Sequence, residues 1–466
     1  MKFDFVIVGN GSAGVFTAIK IRERFPNKSI CLVGPKDRPG SASVAAGAMA
    51  AVFAEVEKCC ESHAELEEKY LDVGLRSSKL WRNFFLETKN TDIITCDDTI
   101  VFLKKGYSNF ELENFEACAK AATNFNSCQN LSKSQIKEAF PYTNNQIHSA
   151  VKIIGEFSFC TVKLFKILDR ICEQQNINCC HERVNKIDIN NNDVMLEDGR
   201  TLLADKMIVA AGAQTSSLID DNEIVPMFQG VGTALVIQNV PKKLDYLSKY
   251  VYRSVNRGGA QCGLHSVPRS DGTIYVGAGN YVTLPKDSMH RFETIKYLID
   301  AFGAEVADKS LSYASVGVLC HGYRPRSLDG RPLIGPLKSN ENIFVATGTN
   351  RVGLTWAPDI ANQVLNWLDD KQLDKEYADW QPWRKPNTLM SNKEAIAYFS
   401  ESRYAAAIEH SLFDPLDPVQ IDEKRSEIEL AVQNLTKLIE ANSGLKLSSI
   451  HPDNWVTIGN IGTESE

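Results

Sequence analysis

The chain has 466 residues, of which 43% are hydrophobic and 23% charged, and its formal net charge is −7. These values are close to those of folded globular proteins and exclude collagen-like, coiled-coil and disordered chains, while the acidic balance and the absence of a basic run argue against nucleic acid as a partner. No apolar run reaches the roughly 18 to 20 residues of a membrane span, and the twelve cysteines are scattered without a C-x-x-C pair, so we expect a cytoplasmic protein with free thiols, no metal and no membrane contact.

The chain begins with the strand, glycine turn, helix and strand order of a dinucleotide-binding unit. A strand is predicted over Phe3–Val8, a helix over Val15–Arg24 and a second strand over Ser29–Val33, and Gly-Asn-Gly-Ser-Ala-Gly fills the turn at positions 9–14. In such a unit the N-terminus of the helix faces the phosphates of the nucleotide. Because the motif follows a strand and opens a helix, it favours a dinucleotide site over a plain turn.

Each glycine of the turn has its own expected role. Gly9 allows the tight turn, Gly11 lets the backbone approach a pyrophosphate, and Gly14 lets the helix pack on the strand. The acidic residue that holds the adenosine ribose in many such units is expected about 20 positions further on, where Gly34 stands. The ribose contact is therefore expected from the backbone or from Lys36.

Later elements alternate between this unit and a second sheet. An amphipathic helix is predicted over residues 160–178, and the pattern beyond residue 226 is typical of an antiparallel sheet. The buried strand Asn342–Thr347 and a helix over Ala357–Leu368, with Pro358 in its first turn, return the chain to the nucleotide unit. The other strands are predicted at Arg183–Ile189, Val194–Leu196, Lys206–Ala210, Val231–Ile237, Tyr250–Ser254, Gln261–Val267 and Thr273–Ala278.

The C-terminal residues have a helical pattern without a strand signal. Residues 391–394 form a capping box, and one apolar stripe follows, made of Ile428, Val432, Leu435 and Ile439. We predict an α/β fold with a Rossmann-type nucleotide-binding domain, a second, mainly antiparallel β-sheet domain for the substrate, and a C-terminal helical extension. The predicted ranges are 1–90, 150–225 and 321–385 for the nucleotide domain, 91–149 and 226–320 for the substrate domain, and 386–466 for the extension.

Three further stretches carry a resemblance to a known family. They are Gly-Ser-Ala-Ser-Val-Ala-Ala-Gly-Ala-Met at 40–49, His-Gly-Tyr-Arg-Pro-Arg-Ser-Leu-Asp-Gly-Arg-Pro-Leu-Ile-Gly at 321–335, and Ala-Thr-Gly-Thr-Asn-Arg-Val-Gly-Leu-Thr-Trp-Ala-Pro at 346–358. Together with the glycine turn, they resemble the FAD-dependent D-amino-acid oxidase superfamily, and its glycine oxidase and sarcosine oxidase branch most. The resemblance covers residues 3–370.

The resemblance implies that FAD is the cofactor, and the spacing of Cys320 to Asp329 differs from that of the covalent branch, so we expect non-covalent binding. Small residues at 41–47 would let the backbone lie along the flavin ring, although they would also suit a helix-packing face. N–H groups at 353–355 would stabilise negative charge on the reduced flavin, unless they form a plain helix start. The implied cofactor-binding residues are Gly9, Gly11, Ser12, Ala13, Gly14, Gly34, Lys36, Ser41, Ser43, Ala46, Gly47, Val184, Ala211, Gly212, Gly322, Arg324, Gly353, Leu354 and Thr355.

A second set of residues is implied for the substrate. Arg324 matches the arginine that holds the substrate carboxylate in the glycine oxidase branch, and a planar guanidinium suits bidentate binding of a carboxylate; a structural salt bridge is the alternative. Arg351 matches a family arginine close to the active site and is otherwise structural. His265 and Tyr252 lie on predicted strands of the substrate domain, where they either face the substrate or pack in the core.

The resemblance implies an enzyme that oxidises the C–N bond of an amino acid or related amine. Hydride would pass from the substrate carbon to flavin N5, the product would be an imine, and the electrons would go to O2 or another acceptor. Two alternatives stay open: a flavin-dependent monooxygenase or tailoring oxidase, and a flavin-containing subunit of a larger complex. The second alternative would use the C-terminal helices for oligomerisation or for a protein partner.

Overall fold

The computed structural model of the chain describes residues 1–58, 64–219, 224–258, 263–285, 289–410 and 412–461. Within these ranges no helix combines the length and the apolar character needed to cross a membrane. The nine cysteines that they contain carry free thiols. Cys59, Cys60 and Cys262 lie outside the described residues, as does Gln261 at the beginning of a predicted strand.

The described residues form two sheets of eight strands each, with helices around them. In chain order the strands are β1 (Lys2–Val8), β2 (Ile30–Val33), β3 (Ile94–Lys104), β4 (Cys128–Asn130), β5 (Ile147–Phe159), β6 (Asn178–Cys180), β7 (Val184–Asp188), β8 (Asp193–Leu196), β9 (Thr201–Val209), β10 (Met227–Gln238), β11 (Val251–Ser254), β12 (His265–Pro268), β13 (Ile274–Thr283), β14 (Ser315–Ser327), β15 (Leu333–Pro336) and β16 (Ile343–Thr347). The α-helices are α1 (Ser12–Arg24), α2 (Ala42–Ala45), α3 (Ala64–Glu87), α4 (Asn109–Asn124), α5 (Lys133–Ala139), α6 (Thr161–Gln174), α7 (Thr215–Leu218), α8 (Phe292–Glu305), α9 (Gly353–Leu368), α10 (Asn392–Glu409), α11 (Pro418–Ser443) and α12 (Trp455–Gly459).

The first sheet carries the nucleotide motif and has the order β15-β16-β9-β1-β2-β6. β1 pairs in parallel with β2 and with β9, and the β7–β8 hairpin joins the sheet by antiparallel pairing with β9. Val8 is aligned with both Val33 and Val209, so the three central strands end at the same level. Ligands of parallel α/β sheets bind at the carboxyl ends of the strands, which places the glycine turn at the expected edge.

The second sheet is mainly antiparallel and has the order β14-β10-β13-β12-β11-β3-β5-β4. Its one parallel pair among the described strands joins β11 to β3. β5 and β14 each run without a break across a predicted domain boundary, at residues 149–150 and 320–321. The division into domains therefore stays a prediction, whereas the predicted fold class is confirmed.

The last helix of the family region begins earlier than predicted. The sequence places Pro358 in the first turn, but α9 begins at Gly353 and Pro358 lies inside it. Proline has no N–H to donate to the carbonyl four residues earlier, which is that of Leu354. The indole N–H of Trp81 donates to this carbonyl instead, at 3.1 Å, and also lies 3.0 Å from the carbonyl oxygen of Thr355. A tertiary contact thus replaces the missing helical bond.

The C-terminal extension packs on the rest of the chain. The capping box at 391–394 is present at the beginning of α10. The predicted apolar stripe of α11 joins a buried cluster that also contains Met227 and Leu328, through Ile428, Val432, Leu435 and Ile439. The stripe therefore contacts the chain's own core, which is the ordinary outcome for an amphipathic helix.

Candidate functional site

A cavity of about 820 Å³ opens at the carboxyl ends of β1, β2 and β9 and extends to the second sheet. Its wall includes residues 8–13 of the glycine turn, residues 38–43 and 45–49, and residues 353–355 at the beginning of α9. Arg324 on β14 lines the same cavity. The cavity therefore lies where the order of the strands predicts a ligand site, between the two sheets.

Two of the three glycines in the turn leave no room for a side chain. Gly9 has φ +106°, and a Cβ there would lie 2.3 Å from the carbonyl oxygen of Ala210. A Cβ on Gly14 would lie 1.8 Å from the carbonyl oxygen of Gly9, because α1 begins at Ser12 rather than at Val15 and its first turn presses on the end of β1. Gly11 faces the cavity, where the nearest atom to its Cβ position is the hydroxyl oxygen of Ser43 at 3.4 Å.

The end of β2 carries no carboxylate, as the sequence indicates, but the basic residue near it in the cavity wall is not the expected Lys36. Gly34 lines the cavity, and a Cβ there would lie 2.6 Å from the side chain of Asn10. Lys36 is absent from the described cavity wall, whereas Arg38 lines it and donates to the carbonyl oxygen of Asn10 at 2.9 Å. Glu197, on the turn after β8, supplies a carboxylate to this part of the wall, next to Val184 and Asn185.

The small-residue segment 41–47 is held against the second sheet. The hydroxyl of Tyr275 donates to the carbonyl oxygen of Ala45 at 3.0 Å. A Cβ on Gly47 would lie 2.9 Å from the ring of Tyr275, and one on Gly322 would lie 2.8 Å from the Cβ of Ala45. Larger side chains at these glycines would separate the segment from the sheet and fill the cavity.

The beginning of α9 points backbone N–H groups toward the cavity. Gly353, Leu354 and Thr355 line the wall, and the side chain of the N-cap residue, Val352, makes no hydrogen bond to this helix end. The Thr355 hydroxyl donates to the carbonyl oxygen of Met49 at 3.3 Å, which joins the helix to the chain two residues beyond the small-residue segment. Uncapped N–H groups and the helix dipole make this end a site for negative charge.

Arg324 is a half-buried cation without an acidic partner in the described part of the chain. Its Nη1 donates to the amide oxygen of Asn280 at 2.9 Å. Gly232 on the paired strand β10 makes room for it, since a Cβ there would lie 2.9 Å from Nη1. The guanidinium therefore lines the cavity with its charge uncompensated by a carboxylate among the described residues.

Arg351 also lines the cavity, but acidic groups surround it. Its Nη2 donates to Glu57 Oε1 at 2.9 Å, its Nη1 donates to the side-chain oxygen of Asn256 at 3.1 Å, and its Nε lies 3.5 Å from Glu55 Oε2. Arg253 donates to the other oxygen of Glu55 at 2.6 Å. Burial alone would raise the pKa of Glu55, but the charges of Arg253 and Arg351 outweigh it and lower that pKa to about 2.

His265 and Tyr252, the other predicted substrate residues, have different locations. His265 lines the cavity, stacked on Tyr275 with ring centroids 5.7 Å apart. Burial, together with the charges of Arg253 and Arg324, lowers its pKa to about 3, so its imidazole is neutral at physiological pH. Tyr252 is fully buried in the core of the second sheet, where its hydroxyl donates to the carbonyl oxygen of Tyr246 at 3.2 Å.

The structure thus brings most of the predicted site residues to one cavity. Those that line it are Gly9, Gly11, Ser12, Ala13, Gly34, Ser41, Ser43, Ala46, Gly47, Val184, Ala211, Gly212, His265, Gly322, Arg324, Arg351, Gly353, Leu354 and Thr355, whereas Gly14, Lys36 and Tyr252 do not. Sequence reasoning missed Glu55, Tyr275 and Asn280. Glu55 and Tyr275 stand in apolar runs without a motif, and the only signal for Asn280 is the small-residue run that precedes it.

Comparisons with known proteins agree with this geometry. A family model described as FAD dependent oxidoreductase (DAO) matches residues 4–367. In sequence, the chain is similar to a glycine oxidase of Pseudomonas putida (strain KT2440), with 27% identity over 167 residues; the match spans 35% of this chain and 41% of that relative's length.

The fold is similar to that of two crystal structures. One is glycine oxidase from Geobacillus kaustophilus, with a TM-score of 0.70 and 18% identity, covering 82% of this chain and 98% of that chain. The other is iminodiacetate oxidase from Chelativorans sp. BNC1, with a TM-score of 0.67 and 16% identity, covering 81% and 98%. The predicted resemblance is thereby confirmed at the level of family and fold.

Proposed function

The chain belongs to the family of FAD-dependent oxidoreductases, and from this premise we propose that it oxidises the C–N bond of an amino acid or a related amine. The observation that supports this proposal is Arg324, a cation in the cavity whose side-chain partner among the described residues is the neutral Asn280. A substrate carboxylate would complete its coordination through charge-assisted hydrogen bonds.

The residues of the cavity fit FAD. The glycine turn leaves an open approach at Gly11 for a pyrophosphate, and the N-terminus of α1 lies beside it. Segment 41–47 presents small side chains where a flat ring needs space, and the beginning of α9 presents uncapped N–H groups. We propose that FAD binds without a covalent link along this wall, with its adenosine half near Val184 and Glu197.

When bound, FAD would supply a two-electron acceptor at N5, from which O2 or another acceptor would take the electrons. The chain supplies orientation and charge. Arg324 holds the carboxylate and thereby fixes the position of the carbon that is oxidised. Neutral His265 accepts a hydrogen bond from the substrate without adding a charge that would repel an ammonium group. Residues 353–355 direct their N–H groups at negative charge that develops in the cavity.

The test of this proposal is anaerobic bleaching of the flavin. Wild-type protein should bleach with one or more members of a panel of amino acids and amines. Arg324→Ala should weaken kred/Kd for that amino acid by roughly 30-fold to several thousandfold, because losing one partner of a desolvated charge pair costs about 2 to 5 kcal/mol. Arg324→Lys should recover only part of the loss, since a point charge does not reproduce the planar fork.

Two controls keep the result specific. Arg82→Ala removes an arginine outside the cavity that pairs with Asp97 at 3.2 Å, and it should bleach as wild type does. FAD content should be nearly unchanged in each variant. If no amine bleaches the flavin and NAD(P)H alone does, the protein is a monooxygenase and the proposal is wrong. If Arg324→Ala reduces as fast as wild type, Arg324 is structural.

A further inference from the structure

We propose that the C-terminal extension positions part of the wall of this site. Through Tyr398 and Asp453 it positions the segment that leads into α9, residues 349–352, which we call the Arg351 loop. Both residues lie beyond residue 367, where the family match ends. The inference rests on the proposed placement of the flavin against the beginning of α9, and its deciding measurement, the reduction potential of the flavin, needs no amine substrate.

The first connection runs through Glu57. The Tyr398 hydroxyl, on α10, donates to Glu57 Oε2 at 3.1 Å, and Arg351 donates to the other oxygen, Oε1, at 2.9 Å. The two oxygens of one carboxylate therefore join the extension to the cavity wall. Glu57 and Arg351 have side chains only 13% and 18% exposed, so water competes weakly for these bonds. A tyrosine hydroxyl in the extension thus helps to set the orientation of the carboxylate that holds Arg351.

The second connection runs through Arg326. Asp453 forms a buried ion pair with Arg326 Nη2, and Arg326 Nη1 lies 3.3 Å from the side-chain oxygen of Asn350 in the loop. Arg326 and Thr349 also form an isolated β-bridge. Asn350 has φ +45°, and its N–H donates to the carbonyl oxygen of Pro325 at 2.7 Å. The sharp turn of the loop is therefore held by the same arginine that Asp453 neutralises.

The extension is fixed firmly enough to act in this way. The N–H of His451 donates to the carbonyl oxygen of Leu328 at 2.8 Å, and the Asn454 side chain donates to the carbonyl oxygens of Ser327 and Leu328, each at 3.0 Å. The ring of His451 fills the space beside Gly330, where a Cβ would lie 2.4 Å from it. Residues 451–454 therefore pack directly on the end of β14, three residues after Arg324.

These contacts bear on the chemistry because the Arg351 loop sets where α9 begins. The N-cap residue, Val352, makes no side-chain bond to these N–H groups, so their direction depends on the backbone of the loop. A loop that shifts or fluctuates would stabilise negative charge on the reduced flavin less well. The reduction potential of the bound flavin should therefore respond to Tyr398 and Asp453, although neither residue lines the cavity.

The experiment compares four variants of the full-length holoprotein, of which Asp453→Glu restores the charge that Asp453→Asn removes. Tyr398→Phe removes one hydroxyl, Asp453→Asn removes the charge beside Arg326, and Tyr404→Phe is the matched control. Tyr404 is a buried tyrosine on the same helix that packs on Phe413 with ring centroids 5.4 Å apart. The measurements are the flavin reduction potential by equilibration with a redox dye, the Kd for FAD, the melting temperature, and the rate of flavin reduction by the amine that reduces wild type.

For Tyr398→Phe and Asp453→Asn we expect a lower flavin reduction potential than in wild type, with FAD still bound. Flavin reduction by the amine should be slower by about 3- to 30-fold, which is the range typical of residues that act through a neighbour. Asp453→Glu should recover part of the potential. Tyr404→Phe should keep the wild-type potential even where its melting temperature falls. Asp453→Asn leaves a buried arginine unpaired and is the variant most prone to misfold; Tyr398→Phe then carries the test.

Wild-type potentials in both Tyr398→Phe and Asp453→Asn would overturn the inference and leave the extension a merely stabilising element. Equal shifts in Tyr404→Phe would also overturn it, because they would reflect general loosening. The dye titration needs no amine, so a wild-type protein that bleaches with no amine refutes the proposed function while these potentials still decide the role of the extension.

Discussion

The charge of the residue beside Arg324 gives the sharpest test of carboxylate binding. Asn280 is half-buried and accepts from Arg324 Nη1 at 2.9 Å. Gly230 on the neighbouring strand confines it, since a Cβ there would lie 2.8 Å from the amide oxygen of Asn280. Asn280→Asp keeps the size and the acceptor oxygen of the side chain but places a negative charge at hydrogen-bond distance from the guanidinium.

The expected loss follows from this geometry. Two unit charges about 4 Å apart attract by about 4 kcal/mol at an effective dielectric constant of ~20, and desolvation of the introduced carboxylate offsets part of that gain. In Asn280→Asp, a substrate carboxylate must then overcome about 2 to 3 kcal/mol to displace the introduced carboxylate from Arg324, which raises the substrate Kd roughly 30- to 150-fold. The neutral variant Asn280→Ser, which lacks the charge, should raise the Kd by far less.

The assay is anaerobic stopped-flow reduction of the flavin at increasing concentrations of the amino acid. The concentration dependence gives the Kd and the plateau gives the limiting rate, which should change little because the cofactor contacts are untouched. An amine without a carboxylate should bind Asn280→Asp at least as well as it binds wild type. The reasoning is refuted if Asn280→Asp binds the amino acid as tightly as wild type, or if it loses the carboxylate-free amine to the same extent.

Three further outcomes follow from the fold and the charges. Gly14→Ala should lose FAD and melt earlier, because its Cβ would lie 1.8 Å from the carbonyl oxygen of Gly9, whereas Gly303→Ala, whose nearest neighbour lies at 4.0 Å, should keep both properties; full FAD content in Gly14→Ala would contradict this. Burial opposes ionisation of Glu55, but the charges of Arg253 and Arg351 lower its pKa from 4.5 to about 2. Between these two pH values the unfolded state binds more protons than the folded state. The carboxylate therefore contributes about 3 kcal/mol to the free energy of unfolding above pH ~4.5, and this contribution is lost as the pH falls toward 2. The free energy of unfolding, measured in urea, should therefore be higher for wild type than for Glu55→Gln, and this difference should narrow on acidification. A difference that does not depend on pH would count against the ion pairs. Alkylation in denaturant without reductant should modify all twelve cysteines, as expected from their scatter in the sequence, and the nine described ones are free thiols; a disulfide found by mass spectrometry would disprove the prediction.

The parts of the site that were predictable from the sequence depend on backbone geometry close in the chain. The glycine turn at 9–14 requires a strand before it and a helix after it, and β1 and α1 are in those places. The capping box at 391–394 and the amphipathic α6 are likewise set by neighbours within a few residues. The motifs at 40–49, 321–335 and 346–358 identified the family because each one keeps a fixed local spacing.

Contacts between distant parts of the chain decided the rest. α9 begins at Gly353 and runs through Pro358, and Trp81, far away in sequence, donates to the carbonyl of Leu354 that Pro358 leaves without a helical partner. The family resemblance assigned the carboxylate to Arg324 and left the role of Arg351 open. The surroundings that distinguish the two arginines appear only in the folded chain, which places Glu55 and Glu57 beside Arg351 and leaves Arg324 facing a neutral asparagine.

Contacts between distant parts of the chain also decide how the C-terminal extension is connected to the site. Its helices were predictable from their caps and apolar stripe, but their connection to the site was not, because Tyr398 and Glu57 are 341 positions apart in the chain. The hydrogen bond between them depends on how α10 packs against the rest of the fold. Helical periodicity determines which face of such a helix is buried. The partner of a polar group on that face is determined by the tertiary structure, because a buried hydroxyl or carboxylate must form its hydrogen bond with a residue that the fold brings within about 3 Å.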